Sequence, residues 1–169
     1  KKNMIENQKT IKNKVHFSGK GLHTGVKTSM TFKPAKENTG IIFIRTDLDK
    51  PVEIKALLDN VVDTKRGTTI AKNKIKVHTV EHVLSALYAL KIDNLFIEIN
   101  NIEPPIIDGS SLDFLKGILD VGIKDLKEKK DYMIILETID YYDIDSDIFL
   151  KMTPSETFKI SFECDFDFG

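Results

Sequence analysis

Cysteine is almost missing: Cys164 is the single one. That excludes an intramolecular disulfide and a zinc site built from cysteines alone, and it is compatible with a reducing compartment. An excess of either charge is also missing, since 25 Lys and Arg face 26 Asp and Glu for a net charge of -1. Nucleic-acid binding needs a basic field, so no such partner is expected. No apolar run is long enough to span a bilayer, and the N-terminal KKNMIENQKT lacks the apolar segment of a signal peptide. These shortages predict a soluble, cytoplasmic protein with no transmembrane segment. What is present is an ordinary core composition: 41% hydrophobic over 169 residues, enough for one full domain and part of a second.

From Thr10 to Ala56 the pattern is that of short strands. In IKNKVHF, Ile11, Asn13, Val15 and Phe17 alternate with polar residues as in one half-buried strand, and KTSMTF repeats this with Thr28, Met30 and Phe32. GIIFI (40–44) and VEIKA (52–56) are two more candidates, and short Gly-, Asn- and Asp-bearing turns between them predict an antiparallel meander. The period then changes. TVEHVLSALYALKI places Val80, Val83, Leu84, Leu87 and Leu90 at helical spacing, with Thr79 as the expected N-cap of a helix from about Val80 to Leu90. NLFIEIN (94–100) reads as a strand, and Pro104–Pro105 forbid regular structure in EPPIIDGSS. A second helix, SLDFLKGILDVG, would carry Leu112, Leu115, Ile118 and Leu119 on one face, capped by Ser110 or Ser111 and ended by Gly122. The charged run KDLKEKKD (124–131) has no apolar period and is expected to be a solvated linker. YMIILETID, IFLKMTP and FKISFECDF read as strands again. The expected class is α+β, a two-layer sheet-plus-helices domain. Residues 1–126 would form that domain, 127–132 the linker, and 133–169 the opening strands of a second domain left incomplete.

The chemistry-bearing stretch is HTVEH (78–82). At a helix N-terminus Glu81 would complement the macrodipole, and His82 would sit at the border of the apolar stripe, so both residues have a purely structural explanation. His78, Glu81 and His82 also fit the inverted zinc-peptidase pattern, with two histidine ligands and a glutamate base. That pattern needs His78 inside the helix, whereas KIKVHT reads as a strand end.

Six segments occur in order: GLHTG (21–25), NTGIIFIRTDL (38–48), DNVVDTKRGTT (59–69), TVEH (79–82), IDNLFIEI (92–99) and PPIIDGSS (104–111). Together they resemble the N-terminal domain of the UDP-3-O-acyl-N-acetylglucosamine deacetylases, zinc amidases of lipid A biosynthesis. The likeness runs from about Gln8 to Asp125 and continues weakly beyond. It implies Zn2+ as cofactor, with His82 as a ligand and Glu81 as the general base that activates water. It implies His23 and Thr68 beside the substrate, and Asp108 supporting the zinc site. The implied substrate is a UDP-linked acylated amino sugar, which is lipidic and compatible with transient contact at a membrane surface. The implied fold is two similar domains packed face to face. His78 departs from the family, which usually has Ser or Thr there, and is not expected to bind metal. The family draws its other ligands, a histidine and an aspartate, from the second domain, but here no histidine follows position 82. The site is therefore expected to need the remainder of that domain, and this chain alone to be inactive.

Other residues have plainer readings. His23 between glycines passes for an exposed turn residue, Asp108 before Gly109 for a turn or cap, and Lys65–Arg66 for surface charge. His16 alternates within a strand, and Cys164 has no local histidine to make it a nucleophile. Two alternatives to the deacetylase stay open: an inverted-motif zinc peptidase using His78, Glu81 and His82, and a non-catalytic remnant of the fold.

Overall fold

Alternation is sharpest in KTSMTF. In the computed structural model of the protein, which describes residues 6–163, it becomes a strand with Thr28, Met30 and Phe32 all buried. In chain order the elements begin with β1 (Asn7–Ile11), β2 (Val15–Lys20), β3 (Lys27–Pro34), β4 (Ile41–Arg45) and β5 (Val52–Lys55). There follow β6 (Val61–Asp63), β7 (Thr69–Lys72), β8 (Ile75–Val77), α1 (Glu81–Ala89) and β9 (Leu95–Ile99). Last come α2 (Leu112–Val121), β10 (Ile123–Lys129), β11 (Ile139–Asp143) and β12 (Ile148–Met152). The chain divides into two compact units, residues 1–130 and 131–169. The class is α+β, as expected. No helix among the described residues is long and apolar enough to cross a membrane.

In the first unit a five-stranded sheet has the order β2-β3-β9-β4-β5. Its register lines up Phe32, Ile97, Phe43 and Ile54 in one row across four strands, all fully buried. Val83, Ala86 and Leu87 of α1 and Phe114 and Ile118 of α2 join the same core. Phe17 sits between Phe32 and Phe114, 5.0 Å from each ring centroid. The sheet is mixed rather than a meander: β9 returns after α1 and inserts between β3 and β4, antiparallel to the first and parallel to the second. A helix between β4 and β9 is what lets two parallel strands become neighbours. A three-stranded sheet β6-β7-β8 and a ribbon β1-β10 complete the unit.

Several local expectations need correction. IKNKVHF is two strands: β1 ends at Ile11, and Lys12 donates its N–H to Gly122 O at 2.7 Å instead of continuing. KDLKEKKD is not a solvated linker, because through Lys129 it is β10, paired antiparallel with β1. A ribbon satisfied by backbone pairing, with only Leu126 buried, needs no apolar period. Side chains reinforce the pairing, since Asn7 Nδ2 donates to Leu126 O and Gln8 Nε2 to Lys129 O. On α2 the buried residues are Phe114 and Ile118, whereas Leu112 and Leu119 are 48% and 51% exposed. The helix turns its aromatic toward Phe17 and Phe32, which rotates the expected stripe. Ser110 Oγ accepts from Leu112 N at its start, and Gly122, at φ +81°, ends it as expected.

In the second unit β11 and β12 form an antiparallel hairpin, with Ile139, Tyr141, Phe149 and Leu150 exposed. Residues 132–138 and the described part of FKISFECDF, 158–163, form no strand. Cys164 lies outside the described residues.

Gly117 marks the closest approach of α2 to the sheet. A Cβ there would lie 2.7 Å from Phe17 Cζ and 3.2 Å from Val15 Cγ2, and the Phe17 ring cannot retreat between its two aromatic neighbours. Helix propensity alone would make Gly117→Ala stabilising by about 1 kcal/mol, but overpacking costs about 1–3 kcal/mol. The steric term is expected to win, and urea denaturation of Gly117→Ala should show a net loss of up to roughly 2 kcal/mol.

Candidate functional site

A helix needs its first N–H groups satisfied, and α1 begins without a side-chain cap. Thr79 is not the N-cap. Its backbone is left-handed, φ +54°, and its hydroxyl donates 2.7 Å to Glu103 Oε1, so Val80 takes the N-cap position. The entry is pinned instead by the DTKRGTT segment: Val80 N donates to Thr68 O at 3.2 Å, and Thr68 N donates to Glu81 Oε2 at 2.9 Å. The Glu81 carboxylate is thus fixed in the first turn, where the helix dipole favours negative charge.

Glu81, His23 and Thr79 converge on Gly67. A Cβ built on Gly67 would lie 3.1 Å from Glu81 Oε1, 3.5 Å from Thr79 Oγ1 and 3.6 Å from His23 Nε2. Gly67 adopts φ +155° and leaves that space open. The structure therefore brings His23, Thr68 and Glu81 together from segments far apart in sequence. Oε2 of Glu81 is engaged by Thr68, while Oε1 faces the opening. His82 follows on the same helical turn, directed about 100° away, half-buried. Its carbonyl accepts from Ser85 Oγ at 3.0 Å, and the Ser85 and Ser111 hydroxyls meet, which ties α1 to the turn before α2. Asp108 lies in that turn, exposed, and accepts from Ser110 N and Oγ, both at 2.9 Å. Those bonds hold its carboxyl below the usual range. No hydrogen bond among the described residues joins Asp108 to Glu81 or His82.

His78 stands outside the helix, between β8 and the left-handed Thr79. Its N–H donates to Ile102 O at 2.9 Å and its Nδ1 lies 2.8 Å from Thr69 Oγ1. Burial pushes its pKa down. It cannot share a helical face with His82, which removes the geometry an inverted peptidase motif requires.

The sequence reading missed Glu103. Its carboxylate is 0% exposed. Oε1 accepts from His23 N (3.1 Å) and Thr79 Oγ1, and Oε2 accepts from Thr24 N (2.9 Å) and Thr24 Oγ1 (2.6 Å). Gly21 is required beside it, since a Cβ there would fall 2.3 Å from Oε2. Burial raises the pKa, but bonds from the Thr24 side chain, the His23 and Thr24 amides and Thr79 outweigh it and bring it down to about 2.

Among the described residues no three His, Cys, Asp or Glu side chains converge on one point as a complete metal cage. Among the same residues the His82 imidazole has no hydrogen-bond partner and the adjacent Glu81 has one oxygen without one, a donor chemistry that fits part of a zinc site.

The chain matches the model of the UDP-3-O-acyl N-acetylglycosamine deacetylase (LpxC) family over residues 8–168. It is 45% identical over 163 residues to a bifunctional enzyme LpxC/FabZ of Chlorobaculum tepidum, covering 96% of this chain and 35% of that protein. To a UDP-3-O-acyl-N-acetylglucosamine deacetylase of Geotalea uraniireducens it is 42% identical, covering 95% of this chain and 52% of the relative. To one from Coxiella burnetii it is 41% identical, covering 95% and 52%. The chain spans about half the length of the single-function deacetylases it matches.

Glu103 also makes a prediction about acid. Its folded pKa of about 2 lies below the ordinary 4.5, so its contribution is fully present above pH 4.5 and is lost as pH falls from 4.5 toward 2. That depression corresponds to something on the order of 3 kcal/mol. Urea midpoints measured against pH should show Glu103→Gln well below the wild type at neutral pH, with the gap closing over that acid window.

Proposed function

The chain belongs to the UDP-3-O-acyl N-acetylglycosamine deacetylase family, and on that footing we propose that it carries the base-bearing half of a zinc-dependent deacetylase. The enzyme would hydrolyse the N-acetyl group of a UDP-linked 3-O-acyl-N-acetylglucosamine in lipid A biosynthesis, in the cytoplasm. The observation that carries this reading is the Glu81 carboxylate: one oxygen is fixed by Thr68 N–H, and the other faces the space left open by Gly67, beside His23. His82 would hold the zinc, with further ligands from the part of the family's length that this chain does not span, arranged as a second similar domain. Residues 1–169 alone would then be inactive.

Zinc, when bound, would polarise the amide carbonyl and lower the pKa of water. The chain's own groups do the rest. Glu81 Oε1 takes the proton from the attacking water as it adds to the acetamide carbon. The Thr68 N–H on Oε2 keeps the carboxylate aimed. His23 is exposed on its loop and has no side-chain partner among the described residues, and it would contact the sugar. The Thr68 hydroxyl also has none among the described residues and would be the second substrate contact. Asp108 would act on the site through the turn that meets Ser85, one helical turn beyond His82. The carbon–nitrogen bond breaks to give acetate and an amine, whose proton would come from an acid outside this chain. An inverted peptidase is disfavoured by the position of His78.

The test uses the full-length enzyme and two measurements, bound zinc and acetate release. Glu81→Gln should keep the metal and lose about 100-fold or more in turnover. His82→Ala should lose the metal itself. Normal turnover in Glu81→Gln would remove Glu81 as the base.

A further inference from the structure

Glu103 makes no hydrogen bond to the Glu81 carboxylate or to the His23 imidazole among the described residues, yet it is bonded to both segments that border the space beside Glu81. On one side it accepts the backbone N–H of His23 and both donors of Thr24. On the other it accepts the hydroxyl of Thr79, the residue whose left-handed backbone sets the entry of the helix bearing Glu81 and His82. His23 and Glu81 have no direct hydrogen bond between them. Their common reference is this one carboxylate, together with the segment of Thr68. Two sequence features are arranged around it: Gly21, where any side chain would collide with Oε2, and Thr79, held at φ +54°.

We propose that Glu103 is a positioning residue for the reaction, which sets the distance between the His23 loop and the Glu81–His82 turn by holding both on one buried carboxylate. A neutral side chain of the same shape cannot replace it. An amide offers one oxygen and turns an NH2 toward donors, so either the loop or the Thr79 side is released. The two halves of the site can then drift apart while the core rows of the sheet, whose apolar packing does not use these hydrogen bonds, remain packed. Misplacement of about 1 Å at reacting groups costs on the order of 100-fold.

The inference rests on the deacetylase reading, and its test keeps the two separable. In full-length protein, Glu103→Gln is measured for kcat and KM, for bound zinc, and for the imidazole NMR resonances of His23 and His16. Expected are unchanged zinc, a kcat lower by roughly 10- to 100-fold, a KM within about twofold, and a shifted His23 resonance with His16 unmoved. If Glu103→Gln does not fold, Thr79→Val replaces it, with Thr79→Ser as the variant that keeps the hydroxyl and should restore kcat. The proposal is overturned if the folded variant keeps wild-type kcat, or if the His23 resonance stays in place. If the wild-type protein releases no acetate, the deacetylase reading fails on its own, and the His23 resonance still decides whether Glu103 positions the loop.

Discussion

A single carboxylate buried without a cation organises this molecule's functional corner. Removing a charge from water is costly unless hydrogen bonds replace the water, and Glu103 takes four from three places in the chain: His23, Thr24 and Thr79. Satisfying it dictates a glycine at 21, a hydroxyl at 24, and a hydroxyl on a left-handed residue at 79. The loop, the helix entry and the turn before Pro104 are therefore not independent. Each has its shape because the same anion must be solvated by protein.

The same logic recurs one layer out, at Glu81. Here the donor is the backbone of Thr68, and the acceptor is a carboxylate in the first turn of a helix. The difference lies in how many oxygens are used. Both oxygens of Glu103 are saturated and closed to solvent, which makes it inert as an acid or base. Glu81 keeps one oxygen free beside an opening that Gly67 preserves. Two glutamates on neighbouring segments are thus separated by hydrogen-bond count into a scaffold anion and a group able to accept a proton.

What could be read from the sequence follows from the range of the interactions. The strand around Met30, the helix from Glu81 and its end near Leu90, and the break at Pro104–Pro105 are encoded by neighbours, and they stand within a residue or two of expectation. β10 was hidden because a strand held by backbone pairing to β1 leaves no apolar rhythm in KDLKEKKD. The insertion of β9 between β3 and β4 was hidden because short turns suggest neighbours in sequence, while the crossover through α1 decides neighbours in space. Glu103 was hidden most thoroughly. Its partners lie 80, 79 and 24 residues away, and beside two prolines a glutamate looks like solvent-facing charge. The thin local signals were the glycine at 21 and the threonines at 24 and 79, residues whose need for a partner or for space shows only once the chain is folded. Proximity of His23 and Thr68 to Glu81 came from the family resemblance, because spacing along the chain cannot bring positions 23, 68 and 81 to one opening.

The four histidines divide by whether their rings have a protein partner. His16 and His78 each meet a threonine hydroxyl, at 3.0 and 2.8 Å, and so have protein partners for their rings. Among the described residues the rings of His23 and His82 have none; His23 lies with Glu81 beside Gly67, and His82 is the residue after Glu81. A fold that satisfies a buried carboxylate four times over had donors and acceptors available nearby, so unpartnered imidazoles at the same place do not reflect a shortage. His23 is exposed and His82 half-buried, so water can solvate the rings and the lack of a protein partner costs little. Among the described residues, then, this corner of the first unit holds two imidazoles and one carboxylate oxygen that the fold leaves without a hydrogen-bond partner, next to a second carboxylate that it satisfies completely.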